Sequence, residues 1–179
     1  MNTKKIILDS AFALLQERPF KQVSVQDILT RANVSRSTFY HYFPDKYEVM
    51  WLYYKEYINK YCVEQFNGSN WEECLQVCFD FVLERNDYFM NIKDVHGQNS
   101  FWDFLYTYCE EFYKNILLHN TGNTDITEEE SYQLTFITNG VVAFFKQYVE
   151  GNKTHDSKRM SHILYELIPD IFKKYISLS

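Results

Sequence analysis

Polar side chains of the kinds that bind DNA lie close together in the segment 24–46. Four of them share one side of a predicted helix, at positions i, i+1, i+4 and i+5: Arg36, Ser37, Tyr40 and His41. Guanidinium, hydroxyl and imidazole groups can hydrogen-bond to base edges in the major groove or to phosphate oxygens. This side of the helix is therefore a candidate DNA-reading surface.

Two short helices joined by a tight turn are predicted to position these side chains. Ser24 and Asp27 have the spacing of a capping box, in which each side chain binds the other residue's amide and starts a helix. An apolar stripe follows at i, i+3, i+4 and i+7: Val25, Ile28, Leu29 and Ala32. Asn33 tolerates the left-handed backbone of a turn, and Ser35 caps the second helix.

The second helix should bury two aromatic rings and keep its polar side outward. Phe39 and Phe43 are four residues apart, so they are expected to pack together onto the first helix. Pro44 ends the second helix, and Asp45 caps a third that is predicted to continue to about Phe66. The layout is typical of a helix-turn-helix DNA reader. Patterning alone leaves open a three-helix subdomain with an aromatic surface and no DNA partner.

The segment 11–49 resembles the N-terminal domain of the TetR family of bacterial transcriptional regulators. The matching elements, in order, are the opening helix with Ile7, Ala11, Leu14 and Leu15 inward, Ser24-Val25, Asp27-Ile28, Ala32-Asn33-Val34-Ser35, Thr38-Phe39-Tyr40, Tyr42-Phe43 and Asp45-Lys46. Asn33 stands where the family usually has glycine, and Pro19-Phe20 replaces a glycine-aromatic pair. The resemblance covers about the first fifty residues. Both replacements suit turns, so neither changes the fold that the resemblance implies.

The resemblance implies which side chains read bases and which hold the duplex backbone. Arg36, Ser37 and His41 are implied to face base edges, and Arg36 is the strongest candidate because arginine can bind guanine through two hydrogen bonds. The residues implied to contact sugars and phosphates are Ser24, Gln26, Thr38, Tyr40 and Lys46.

Beyond this segment the chain is predicted to be entirely helical. Asn67–Asn70 should end the third helix, and further helices are expected at about 71–86, 87–94, 100–118, 127–150 and 156–177. The expected fold class is all-α. A three-helix DNA-binding domain spans residues 1–48, and a larger helical ligand-binding and dimerisation domain spans residues 49–179.

Two apolar stripes near the C-terminus are candidates for a pairing surface. The first comprises Phe136, Gly140, Ala143 and Phe144, and the second comprises Ile163, Leu164, Leu167 and Ile171. A glycine inside a helix costs about 1 kcal/mol relative to alanine, which close approach of another helix would explain. The family resemblance implies a homodimer paired as a four-helix bundle, with Pro169 interrupting the last helix. Both stripes could instead face the chain's own core.

Charge and aromatic content limit the kinds of partner that the chain can bind. Residues 1–50 carry seven Lys/Arg and five Asp/Glu, whereas the whole chain has a net charge of −6, so any DNA-facing surface belongs to the N-terminal part. Aromatic residues make up 18% of the chain. They could fill a core or line a cavity for a small-molecule effector, and no ligand-binding residue can be singled out.

Several classes of protein are disfavoured. No glycine-rich phosphate loop, nucleophile elbow, paired-carboxylate site or Cys/His metal spacing is found, so neither an enzyme nor a metal or other cofactor is expected. Cys74 and Cys78, one helical turn apart, are expected to be core thiols. No apolar run approaches the ~20 residues that span a bilayer, so a cytoplasmic protein without a membrane partner is expected.

The function implied by the resemblance is a ligand-responsive transcriptional regulator that binds a palindromic operator as a homodimer. Release from DNA upon effector binding, which makes a repressor, is the commoner polarity in the family. A transcriptional activator and a DNA-independent protein-interaction adaptor of the same fold remain alternatives.

Overall fold

The computed structural model describes residues 2–66, 70–97, 99–151 and 156–176, and within these ranges the regular secondary structure is helical, without strands. The helices are α1 (Thr3–Glu17), α2 (Val25–Ala32), α3 (Arg36–Tyr42), α4 (Lys46–Tyr61), α5 (Trp71–Glu84), α6 (Asn86–Ile92), α7 (Phe101–Thr121), α8 (Glu128–Glu150), α9 (Ser157–Leu167) and α10 (Asp170–Ile176). The expected all-α fold is confirmed. The break predicted at Asn67–Asn70 falls largely on residues 67–69, which lie outside the described ranges.

Helices α1, α2 and α3 form the head of the protein, and helices α4 to α10 form its body. Helix α1 connects the two because it packs on α2 as well as on α4 and α6. Its inward residues were predicted correctly, since Ile7, Ala11, Leu14 and Leu15 are all buried. The ring of Phe12 stacks on Tyr53 of α4 with centroids 3.8 Å apart, and Asn91 Nδ2 of α6 donates a 2.9 Å hydrogen bond to the Leu15 carbonyl. The buried core therefore continues from the head into the body. A domain boundary at residue 48 remains a prediction.

Helix α4 is shorter than predicted. Its last α-helical bond runs from the Cys62 amide to the Ile58 carbonyl, and a 3₁₀ turn follows at Val63–Gln65. The Gln65 amide closes this tighter turn onto the Cys62 carbonyl at 3.1 Å. Such turns satisfy carbonyls that the end of a helix would otherwise leave without partners.

The body is built from packed helix pairs. Helix α5 packs on α9, α7 packs on α8, and α10 packs on α7. Helices α9 and α10 are separated at Ile168–Pro169, which confirms the predicted interruption of the last helix. Among the helices described, none is both long and apolar enough to cross a bilayer.

Candidate nucleic-acid interface

The start of α2 is fixed by the predicted capping box. The Asp27 amide donates to Ser24 Oγ at 3.1 Å, and both the amide and the hydroxyl of Ser24 donate to Asp27 Oδ2, at 2.8 and 2.6 Å. Together with Arg18, whose guanidinium lies 3.1 Å from Asp27 Oδ1, these bonds lower the pKa of Asp27 to about 2. The carboxylate therefore stays ionised, and the box stays closed, throughout the physiological pH range.

The turn and α3 also form as the sequence predicts. Asn33 adopts a left-handed conformation with φ 52° and ψ 50°, and Ser35 Oγ accepts the Thr38 amide at 3.1 Å as the cap of α3. Phe39 is 0% exposed and Phe43 is 1% exposed, with their ring centroids 5.6 Å apart. The two phenylalanines thus anchor α3 and set which of its sides faces solvent.

The outward side of α3 presents the predicted polar groups to solvent. Arg36, Ser37 and His41 are exposed, and the Tyr40 side chain is 47% exposed. Within the described residues, no hydrogen bond or ion pair holds the Arg36 guanidinium. Tyr42, whose ring meets His41 edge-on at 4.9 Å, is also exposed and was not predicted as a site residue. The structure thus brings these groups together on the exposed side of α3, and a helix of this kind can enter a major groove.

Small hydroxyl groups form a network at the start of α3. Ser35 Oγ lies 2.8 Å from Ser37 Oγ and 2.7 Å from Thr38 Oγ1. Hydroxyl groups can rotate, so each can turn from this internal bond to an acceptor on a ligand at little cost. The network keeps Ser37 and Thr38 in place before any ligand arrives.

Two residues implied to contact the DNA backbone are already engaged within the chain. Lys46 Nζ donates to the Val23 carbonyl at 2.6 Å and to the Phe20 carbonyl at 3.2 Å, and it also lies 4.2 Å above the Phe20 ring. Burial lowers the pKa of Lys46, although the nearby Asp27 charge opposes this. One ammonium proton remains for a phosphate. Ser24 has both of its donors on Asp27, so a phosphate contact from Ser24 would have to replace that bond.

The predicted pairing stripes differ in how much they are exposed. Phe136 is 72% exposed and Leu167 is 62% exposed, while Gly140 and Ala143 also face solvent. A Cβ atom built on Gly140 would meet no atom within 4 Å, so packing inside the chain does not explain this glycine.

Four predicted pairing residues lie partly or wholly inside the chain. Phe144, Ile163 and Ile171 are half-buried, and Phe144 contacts the Phe79 ring edge-on at 6.1 Å. Leu164 is 4% exposed because the side of α9 that carries it packs on the chain's own core. Leu164 is thus already covered within a single chain, and its place at a pairing surface stays a prediction.

A cavity of about 60 Å³ lies inside the body. Aromatic side chains dominate its wall, among them Tyr54, Trp71, Tyr108, Phe112, Tyr113 and Phe145. This volume is well above the ~15 Å³ that a cavity needs to hold one water. Trp71 Nε1 and Tyr113 Oη are close together at this wall, but they form no hydrogen bond of good geometry with each other or with another described residue. Sequence reasoning could not locate this cavity because its wall combines residues from α4, α5, α7, α8 and α9.

An open groove of about 180 Å³ lies between α4 and α7, next to the cavity. Trp51 and Phe104 stack there with centroids 5.4 Å apart and planes 6° apart. Tyr108 lines both the groove and the cavity, and its hydroxyl donates to Asn59 Oδ1 at 2.5 Å. The Tyr108 side chain thus belongs to the walls of both spaces.

The chain is similar to several known regulators. It is 29% identical over 94 residues to the dhaKLM operon transcriptional activator DhaS of Lactococcus lactis, and 48% identical over 44 residues to the transcriptional regulator EthR of Mycobacterium tuberculosis. These matches span 50% and 25% of this chain but only 48% and 20% of the relatives.

Solved structures show the same fold over nearly the whole chain. A structure of DhaS superposes with a TM-score of 0.66 at 18% identity and covers 96% of this chain and 97% of its own. A structure of RolR in complex with resorcinol superposes with a TM-score of 0.56 at 16% identity, covering 99% and 94%.

Two family models account for most of the sequence. Residues 7–50 match the model of bacterial regulatory proteins of the tetR family, and residues 69–170 match that of a transcriptional regulator C-terminal region. The second match alone covers more than half of the chain. Together with the helix-turn-helix at α2 and α3, these matches show that the chain belongs to the TetR family of bacterial transcriptional regulators.

Proposed function

We propose that two copies of this chain bind a palindromic operator, with α3 of each copy in one of two successive major grooves. The observation that carries this proposal is the geometry of α3, whose polar side is open to solvent while Phe39 and Phe43 are buried. Two such helices in a symmetric dimer would read half-sites about 34–36 Å apart.

Base reading is assigned to the exposed groups of α3. Arg36, Ser37 and His41 can reach base edges, and the Arg36 guanidinium gives up no internal bond when it turns to a guanine. Contacts to the DNA backbone are assigned to Gln26, Thr38 and Tyr40, and to the remaining proton of Lys46. Ser24 is a weaker candidate, since its donors hold Asp27.

Dimerisation is assigned to the exposed parts of α8 and α9. Phe136, Leu167 and the neighbouring Tyr132 are large apolar side chains that a single chain leaves largely in water. Exposed apolar patches of this kind mark interaction surfaces. The open space above Gly140 fits the close approach of a helix from a second copy.

An effector site is assigned to the cavity and its adjoining groove. RolR, which shares the fold, has been solved with resorcinol bound, and an aromatic wall of this kind suits small planar molecules. Helix α4 lines the cavity through Tyr54 and Ile58, and at its other end Lys46 bonds to the head. A ligand that enlarged the cavity would therefore shift α4 and change the separation of the reading helices.

Repression is the proposed polarity. Activation is tested alongside it because the relative DhaS is a transcriptional activator of the dhaKLM operon. The test uses fluorescence anisotropy with the DNA upstream of the chain's own gene, first as a complete inverted repeat and then as a single half-site. Tight binding to the repeat and weak binding to the half-site is expected. A reporter driven by the same DNA should fall when the chain is expressed; a rise would mean an activator, and no binding to any promoter DNA would favour the adaptor alternative.

A further inference from the structure

The internal cavity of about 60 Å³ is lined only by aliphatic, aromatic and cysteine side chains among the described residues. None of these belongs to Asp, Glu, Lys, Arg, His, Asn or Gln. Cys62 at the end of α4, Cys78 of α5 and Cys109 of α7 meet at the wall. The aromatic members are Tyr54, Trp71, Phe79, Tyr108, Phe112, Tyr113 and Phe145. An ionised ligand would lose its hydration here without gaining a charged partner, which is costly.

Almost none of the surface that the wall turns to the cavity is polar. The Tyr108 hydroxyl donates to Asn59 Oδ1 at 2.5 Å, and the Cys78 thiol donates to the Cys74 carbonyl at 3.5 Å. Trp71 Nε1 and Tyr113 Oη lack a hydrogen bond of good geometry, but both atoms are so closely covered that a water-sized molecule does not reach them. A buried water typically makes two to four hydrogen bonds. A water inside this cavity would lose most of them.

We propose that the cavity is dry and binds small, uncharged, apolar molecules, and that planar aromatic hydrocarbons of about the size of benzene are the effector class. A protein cavity of about 150 Å³ with an apolar wall stays dry and binds both xenon and benzene. The present cavity, at about 60 Å³, is less than half as large. Its many rings offer the stacked and edge-on contacts that an aromatic ligand prefers.

The size of the cavity determines which ligand acts on the DNA reader. Benzene must enlarge the cavity, whereas a single xenon atom is much smaller. Enlargement displaces α4, because Tyr54 and Ile58 of this helix belong to the wall and Lys46 at its start bonds to the head. Benzene should therefore change the operator affinity, and xenon should leave it nearly unchanged. This consequence rests on the function proposed above, whereas binding in the cavity does not.

Methyl NMR spectra of the full-length chain test the cavity directly. Under xenon pressure, the methyl groups of Ile58, Leu105 and Val141 at the wall should shift, and they should show no cross-peak to a long-lived water. Benzene should shift the same methyl groups, and benzoate at the same concentration should not. A long-lived water, or xenon shifts confined to surface methyl groups, would overturn the dry cavity. Benzoate shifts at the wall would overturn the restriction to uncharged ligands, and the absence of benzene shifts would overturn the effector class.

A matched pair of substitutions on α8 shows whether xenon occupies this cavity. Val141→Ile adds a methyl group at the wall and should weaken xenon binding about fivefold or more, because a close-packed site leaves little room for both. Val142→Ile makes the same change at the next position, which does not line the cavity, and should leave xenon binding unchanged. Equal effects from the two substitutions would place xenon elsewhere. The wild-type spectra decide the proposal even if Val141→Ile does not fold.

Operator binding with and without ligand supplies the second readout. Benzene should change the affinity about fivefold or more, while xenon and benzoate leave it nearly constant. An unchanged affinity with benzene in the cavity would overturn the effector class. If the ligand-free chain binds no promoter DNA, the proposed function fails, while the methyl spectra still decide what the cavity binds.

Discussion

Replacing Phe136 by glutamate is expected to separate the dimer and to reduce operator affinity about 10²- to 10⁴-fold. Phe136 is 72% exposed in the single chain, so the substitution should change the stability of the monomer by only about 0.5 kcal/mol. In a dimer, the same position would bring a carboxylate into an apolar contact, where an unpaired charge is costly. The loss of affinity follows because the second half-site contact is no longer intramolecular.

Sedimentation velocity at micromolar concentration and anisotropy with the complete operator provide the two measurements. Leu83→Glu is the control. Leu83 is also an exposed, large apolar residue, but it lies on α5, outside the proposed surface. The control should remain a dimer and keep its affinity. A Phe136→Glu chain that stays dimeric, or an equal effect from Leu83→Glu, would rule out the proposed surface.

Replacing Phe39 by alanine is expected to lower the free energy of unfolding by about 3–5 kcal/mol. The ring is 0% exposed and contacts Phe43 and Tyr40, so the change leaves a cavity beneath α3. A loss of this size is a large share of the 5–15 kcal/mol typical of a folded protein. Operator binding should weaken in parallel, because α3 no longer has a fixed position.

Tyr42→Ala is the control for this experiment, since it removes a ring of similar size from the exposed side of the same helix. Its cost should remain below about 1 kcal/mol in urea denaturation of the full chain. If the two substitutions were equally costly, Phe39 would not be the anchor of α3.

Much of the head could be predicted because its signals are local. The capping box at Ser24 and Asp27, the left-handed Asn33 and the cap at Ser35 each depend on residues at most four positions apart. Side-chain periodicity also predicted that Phe39 and Phe43 are buried, since one side of an amphipathic helix must be covered by the rest of the protein. For this reason the predicted bounds of α2 and α3 are close to the observed ones.

Features that depend on distant packing could not be predicted. Lys46 looked like a free phosphate ligand, but the turn at Phe20 and Val23 brings two carbonyls to its ammonium. Leu164 fitted an outward stripe, but the contact between α5 and α9 buries it. In both cases the partner lies more than twenty residues away, and periodicity carries no information about it.

The convergence of the cysteines is a further example. Cys74 and Cys78 were correctly expected to be core thiols at a helical spacing, since Cys74 is buried and Cys78 is half-buried. Nothing in the sequence placed Cys62 or Cys109 beside them. Their meeting depends on how α4, α5 and α7 pack, and so does the cavity that they line.

Base preference is the property that most directly separates a DNA reader from a helical domain with the same shape. Arg36→Ala should lose discrimination at one base pair of each half-site, by about 1–3 kcal/mol or about 5- to 150-fold. Tyr40→Phe removes only a hydroxyl assigned to a phosphate, so it should weaken all sequences alike. It is a cleaner control than Lys46→Ala, because Lys46 also holds α4 to the head.

Competition binding of single-base operator variants, at low and at high salt, is the measurement that decides whether α3 reads DNA bases. Counterion release is the same for two duplexes of equal length, so it cancels in their affinity ratio. The Arg36→Ala chain should show a flattened ratio at one position at both salt concentrations, while Tyr40→Phe keeps the wild-type ratios. If Arg36→Ala weakens every duplex equally and leaves all ratios unchanged, the outward side of α3 does not read DNA bases.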